Sequence, residues 1–236
     1  MLITFILVKT AVSQNIGAAA RAMNTMGFSD MRLVNPQCDH CDENSWYMAH
    51  GSTAVLENAR IFPTIQAATR DCDFIIGTTA RKRAISTGYI PAGDLRPILR
   101  NKQTIIHQAA LVFGSEAHGL TNADLSHCHC VSTVPLQKKY PSLNLSQAVM
   151  IYAYELSAIP VQTTVDPQQE PLQYAALAEK VADLLKQAGF PAWSGIQRRV
   201  VRQMVHMTAK DLHCIHSICN KFLDCFSQQK SQSKGN

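Results

Sequence analysis

The sequence predicts an α/β fold built on a parallel sheet, with a small helical unit appended after it. Three observations predict this. Short, continuous apolar runs alternate with helical stretches over residues 1–159, the pattern of a sheet covered on both faces. The composition then changes at 160–171, "PVQTTVDPQQEP", which has no apolar periodicity and reads as a linker. Beyond it, apolar residues return at helical spacing.

Taken in order, "ITFILV" (Ile3 to Val8) is the first strand, and "NIGAAARAMNTMGF" (Asn15 to Phe28) is an Ala-rich helix ending at Gly27. "MRLV" (Met31 to Val34), "DFIIGTT" (Asp73 to Thr79), "AALVFG" (Ala109 to Gly114) and "CVSTVPL" (Cys130 to Leu136) supply further strands. "AGDLRPILRNK" (Ala92 to Lys102) is one of the helical pieces between them. In the unit at 172–227, Leu177, Val181, Leu184 and Ala188 mark one helix. A second, "IQRRVVRQMVHM", sets Ile196, Val200 and Met204 on one side and Arg198, Arg202 and His206 on another. A third carries Leu212, Ile215, Ile218, Phe222 and Leu223, and residues 228–236 read as a frayed tail.

The 236 residues are 46% hydrophobic and 17% charged, so a packed globular protein is expected. No run approaches the roughly 18 apolar residues of a membrane span, and no membrane partner is expected. "MLITFILVKT" has no basic residue ahead of its apolar run and no small-residue cleavage site after it, so it reads as a strand rather than a signal peptide. The eight cysteines are then expected as reduced thiols, and the location as cytoplasmic. A net charge of +5 fits an acidic partner, nucleic acid among them.

Three patches carry chemistry. In "QNIGAAARAM", Asn15 and Gly17 open a helix directly after the first strand, with Arg21 about one and a half turns in. Helix amides and a nearby cation suit a phosphate there, and a glycine turn beside a surface arginine accounts for the same residues. In "LVFGSEAHGL", Gly114 closes a buried strand ahead of Glu116 and Gly119. The carboxyl ends of strands are where α/β folds bind ligands, although a tight turn also needs glycines. In "YPSLNLSQAV", Ser142, Asn144 and Ser146 crowd the start of an apolar helix. One of them suffices as an N-cap; three exceed that need.

In this order, the three patches resemble motifs 1, 2 and 3 of the SPOUT superfamily, specifically its SpoU/TrmH class of RNA ribose 2′-O-methyltransferases. The resemblance covers residues 1–159. A helical extension after the catalytic domain is similar to the branch that includes enzymes acting on position 32 of the tRNA anticodon loop. The resemblance implies a C-terminal deep trefoil knot, a rare exception among folds, which forms the pocket for S-adenosylmethionine. It places Thr78, Thr79, Ala80, Arg81, Gly114, Val134, Leu136, Ser142 and Leu143 around that cofactor, and Arg21, Asn15, Glu116, Ser142 and Asn144 at the reacting end. It further implies a homodimer with composite sites, tRNA as the first substrate class with rRNA as the alternative, and chemistry that needs no metal. A knotted RNA binder that has lost turnover is the rival outside enzymes. A nicotinamide-dependent oxidoreductase lacks its glycine fingerprint.

Arg198, Arg199, Arg202 and Lys210 are the expected RNA contacts of the extension, and a solvated amphipathic face explains them equally. "CDHC" (Cys38 to Cys41) and "HCHC" (His127 to Cys130) have zinc-like spacing, but the second enters a buried strand, so no metal site is expected. "HCIH" (His213 to His216) reads as ordinary partly buried side chains. Trp46, in "WYMAHGS", reads more simply as a core aromatic than as part of a substrate groove.

Overall fold

A computed structural model describes residues 1–80, 88–138, 142–159, 173–191 and 195–232, without the side chains of 198 and 227–232. Arg81, the linker at 160–171, the side chain of Arg198 and residues 233–236 of the expected tail therefore lie outside the described residues.

Seven strands form one sheet: β1 (Leu2–Val8), β2 (Met31–Val34), β3 (Arg60–Phe62), β4 (Phe74–Thr78), β5 (Tyr89–Pro91), β6 (Gln108–Phe113) and β7 (Cys130–Thr133). The order is β3-β2-β1-β6-β4-β7-β5, and every pairing is parallel. The edge strands β3 and β5 have three residues each, too short to show a period in the sequence. Side chains alternate between two cores: Phe5, Leu7, Leu111 and Phe113 face one, Ile6, Val8, Ala110 and Val112 the other. The first core is covered by α1 (Ser13–Thr25), α2 (Glu43–Ala49), α3 (Thr53–Glu57), α5 (Leu95–Arg100) and α7 (Leu145–Ser157). The second is covered by α4 (Ile65–Ala68) and α6 (Asn122–Ser126).

Helix α1 starts at Ser13, two residues before the expected opening at Asn15. Gly17 is therefore in the second turn, and its role is packing: a Cβ there would sit 2.0 Å from the Ser45 carbonyl oxygen of α2. The helix ends as the sequence predicts. Gly27, at φ +84°, donates to the Asn24 carbonyl, Phe28 donates to that of Met23, and the Phe28 ring packs 5.2 Å from Phe5.

The extension consists of α8 (Tyr174–Gln187), α9 (Gly195–Gln203), a short 3₁₀ turn at Met204–His206 and α10 (Ala209–Gln232). Helix α10 continues through Gln232, into the stretch expected to fray. The expected apolar face is only partly used: Met204 is buried but lies in the 3₁₀ turn after α9, Ile196 and Val200 on α9 are exposed, and Gln197 is buried instead, donating to the Ala182 carbonyl at 3.0 Å. On α10, Leu212 and Cys219 are buried while Ile218 and Phe222 are exposed.

This extension shares the core of the sheet domain. Tyr174, fully buried, sits edge-on to Phe74 at 4.9 Å and to His129 at 5.4 Å. Buried Lys102, just after α5, donates from Nζ to the Val205 carbonyl at 2.7 Å. Burial lowers the Lys102 ammonium from 10.5 to about 8. The folded value lies below the unfolded one, so the unfolded chain holds the extra proton between those pH values. This group's contribution to stability therefore rises with pH across that window. The difference in unfolding free energy between wild type and Lys102→Met should shift in favour of wild type from pH 8 to pH 10 in denaturant titrations. A difference that stays flat contradicts this.

Candidate active site

The carboxyl ends of β4, β6 and β7 converge on a cleft with about 810 Å³ of empty space, including the part open to solvent. Thr78, Thr79 and Ala80 continue β4 into it. Gly114, Ser115 and Glu116 leave β6 along another wall, and Val134 and Leu136 follow β7. Ser142 and Leu143 close it ahead of α7. Of the expected cofactor residues, the cleft brings together Thr78, Thr79, Ala80, Gly114, Val134, Leu136, Ser142 and Leu143; Arg81 lies outside the described residues.

Gly114 is required by the fold of the loop. A Cβ there would meet the Gly119 carbonyl carbon at 2.0 Å and the Leu120 nitrogen at 2.1 Å, because residues 115–119 turn back over it. The Gly119 N–H donates to the Ser115 carbonyl at 2.8 Å, and Gly119 has φ +65°. The turn thus carries Glu116 to the cleft wall. Phe113 and Tyr152 also line the cleft, and their apolar character hid them from a search for chemistry. Their rings meet edge-on at 5.5 Å, and the Tyr152 hydroxyl donates to Ser132 Oγ on β7 at 3.0 Å. That contact fastens α7 to the sheet.

The three motifs meet in one hydrogen-bonded chain. Asn144 is the N-cap of α7, and its Oδ1 accepts from the Ser146 N–H at 2.8 Å. Gln147 Oε1 accepts from the Asn144 N–H at 3.1 Å, completing a capping box. With Oδ1 engaged, Asn144 Nδ2 donates to Asn15 Oδ1 at 2.9 Å. Asn15 Nδ2 donates in turn to Glu116 Oε1 at 2.8 Å, and the Ala11 N–H donates to Glu116 Oε2 at 3.2 Å. The amide orientations are thereby fixed by the chain itself. Both Glu116 oxygens accept hydrogen bonds, so this carboxylate is an anchor. Ser142 lies exposed on the rim.

Arg21 stands apart from this cluster within one chain. It is exposed on α1 and makes no side-chain hydrogen bond or ion pair among the described residues. Six residues separate it from Asn15, about 9 Å along the axis and about a third of a turn away from the same face. Of the expected RNA contacts, Arg199 and Lys210 are exposed and Arg202 is half-buried. Trp46 and Tyr47 on α2 are 40% and 82% exposed, which corrects the core reading of Trp46: α2 turns Ser45 and Ala49 inward instead. The two zinc-like pairs do not assemble. Cys38 contacts the Thr10 carbonyl and Cys130 is buried in β7, and no metal-binding group of three His, Cys, Asp or Glu forms among the described residues.

A seven-stranded parallel sheet with a cleft at its carboxyl ends defines the class, a parallel α/β protein whose cleft lies where such folds bind ligands. The model of the SpoU rRNA Methylase family matches residues 2–154, and the chain belongs to that family. It is 45% identical over 188 residues to an uncharacterized tRNA/rRNA methyltransferase, LasT, of Escherichia coli, covering 78% of this chain and 81% of that protein. It is 38% identical over 155 residues to the tRNA (cytidine/uridine-2′-O-)-methyltransferase TrmJ of Pectobacterium atrosepticum, covering 65% of this chain and 63% of that one, so it matches less than two thirds of TrmJ. The crystal structure of TrmJ from Z. mobilis superimposes with a TM-score of 0.64 at 27% identity, covering 94% of this chain and 99% of that one.

Asn144 combines a helix cap with a tie between motifs, and two substitutions separate them. Asn144→Ala removes both and should lower the unfolding free energy by about 1–2 kcal/mol. Asn144→Ser keeps a capping oxygen but lacks the donor to Asn15, and should lose about half as much. Urea denaturation of the two variants checks this, and equal losses contradict the double role.

Proposed function

We propose that the protein transfers a methyl group from S-adenosylmethionine to a ribose 2′-hydroxyl of RNA, with tRNA as substrate, acting as a cytoplasmic homodimer. The observation that supports this reading is the chain from Asn144 through Asn15 to Glu116, which ties motifs 1 and 3 to a carboxylate in the cleft wall. The donor set fits an adenosine-bearing cofactor. Apolar walls from Phe113, Val134, Leu136 and Leu143 suit the base, and the hydroxyls and backbone of Thr78, Thr79 and Ser142 suit the sugar. S-adenosylmethionine, when bound, supplies a methyl group on a sulfonium whose departing thioether is neutral.

The rest falls to the protein's own residues. Ser142, on the rim, and Asn144, fixed by its capping box, position the ribose. Glu116 holds the loop 115–119 in place through Asn15 and Ala11. Arg21 serves as a cation that grips the adjacent phosphate and stabilises the alkoxide that develops as the hydroxyl releases its proton to solvent. Since Arg21 stands apart from Asn15 on its own chain, it acts at the site of the partner subunit. The name of TrmJ supports the 2′-oxygen and tRNA as targets.

Purified protein incubated with methyl-labelled S-adenosylmethionine should label the tRNA fraction from cells lacking its gene, and digestion should return a 2′-O-methylated nucleoside. Label on a base, or in ribosomal RNA alone, contradicts the reading. Arg21→Lys should lower turnover about 10- to 100-fold, because a single ammonium cannot replace the two-pronged grip. Mixing inactive Arg21→Ala with an inactive Asn144 variant should restore activity if the sites are composite.

A further inference from the structure

At the amino end of β7 lies a second cleft, in the seam between the sheet edge and the extension. Its empty space is about 490 Å³, including the part open to solvent. Ile90 on β5, Cys128, His129 and Cys130 form one wall; Arg202 of α9 and His206 of the 3₁₀ turn stand on the other. The strand rise puts His129 about 16 Å from Val134, which lines the first cleft, so the two clefts sit at opposite ends of one strand.

Three nitrogen side chains, His129, Arg202 and His206, stand in this seam beside the amide of Gln203. His129 is held rigidly, stacked on Phe74 at 5.5 Å and 7°, edge-on to Tyr174. Its Nδ1 accepts from the Ile75 N–H at 2.9 Å, so the neutral ring carries its proton on Nε2, the nitrogen left for a ligand. Burial lowers its pKa to about 4, which keeps the ring in this neutral donor form. Arg202 adds a guanidinium and His206 a second imidazole, and no carboxylate lines the cleft among the described residues. Lys102 donates to the Val205 carbonyl in the same wall, so the positions of Arg202 and His206 depend on the docking of the extension. A guanidinium beside imidazole N–H groups suits the oxygens of a phosphate.

We propose that this seam cleft binds a phosphate of the RNA backbone through Arg202, His129 and His206, anchoring the substrate at the junction of the two units. The proposal rests on the reading of RNA as substrate. Arg202 thereby separates from Arg199 and Lys210, which are exposed and line neither cleft.

The test uses the full chain with S-adenosylhomocysteine and two probes, inorganic phosphate and an anticodon stem-loop oligoribonucleotide. Ring resonances of His129 and His206 report the seam. Both probes should shift them. Arg202→Gln should weaken RNA binding about tenfold and reduce the slope of log affinity against log salt by about 0.7–0.9, the loss of one phosphate contact. Arg202→Lys should restore the slope, and S-adenosylhomocysteine affinity should stay unchanged in both. Unmoved His129 resonances with both probes overturn the site. A shift with inorganic phosphate alone, with the RNA salt slope unaltered by Arg202→Gln, assigns the cleft to a free phosphate and overturns the RNA source. Absence of RNA binding by the wild type, with the phosphate shift intact, shows instead that the RNA reading has failed.

Discussion

One chain of hydrogen bonds, Asn144 to Asn15 to Glu116, organises the candidate site. It runs from the first residue before α7, through the buried side of the first turn of α1, to the loop that leaves the central strand β6. Each link is 2.8–2.9 Å and each amide is oriented by its neighbour. Asn15, the buried member, is satisfied at both its amide oxygen and its amide nitrogen. Here the carboxylate end closes on the backbone of Ala11, and the cap end closes on Ser146 and Gln147.

The chain works because the fold delivers its parts to one place. Parallel strands carry all their carboxyl ends to the same edge. The order β1-β6-β4-β7 sets the ends of β4, β6 and β7 side by side there. Steric demands at two glycines add what the sheet does not supply. Gly17 lets α2 press against α1 beside the turn that carries Asn15, and Gly114 lets residues 115–119 fold back so that Glu116 faces the cleft.

Much of this was legible in the sequence, for physical reasons. Five strands were visible as continuous apolar runs because both faces of the sheet are covered; β3 and β5 were not, being three residues at an edge. Gly27 announced the end of α1 because only a glycine takes that φ without strain. Gly114, Glu116, Ser142 and Leu143 of the cleft lie in the motifs, whereas Thr78, Thr79, Ala80, Val134 and Leu136 were implied only by the family resemblance. The bond from Asn15 to Asn144 was not, because 129 residues separate the two and no local rule pairs them. Phe113 and Tyr152 were hidden as ordinary core residues. The extension was misleading at Ile196, Ile218 and Phe222, where helical spacing implies burial. Its helices bury narrower faces, and its core is completed by Phe74 and His129 of the sheet domain.

The most direct test of this account is a double-mutant cycle on Asn15→Ala and Glu116→Ala. Unfolding free energy and affinity for S-adenosylhomocysteine would be read for the single and double variants. The account predicts coupling of about 1 kcal/mol or more in both quantities, since either change alone disconnects motif 1 from motif 2. Losses that simply add in both would contradict it, leaving three motifs that touch without depending on one another.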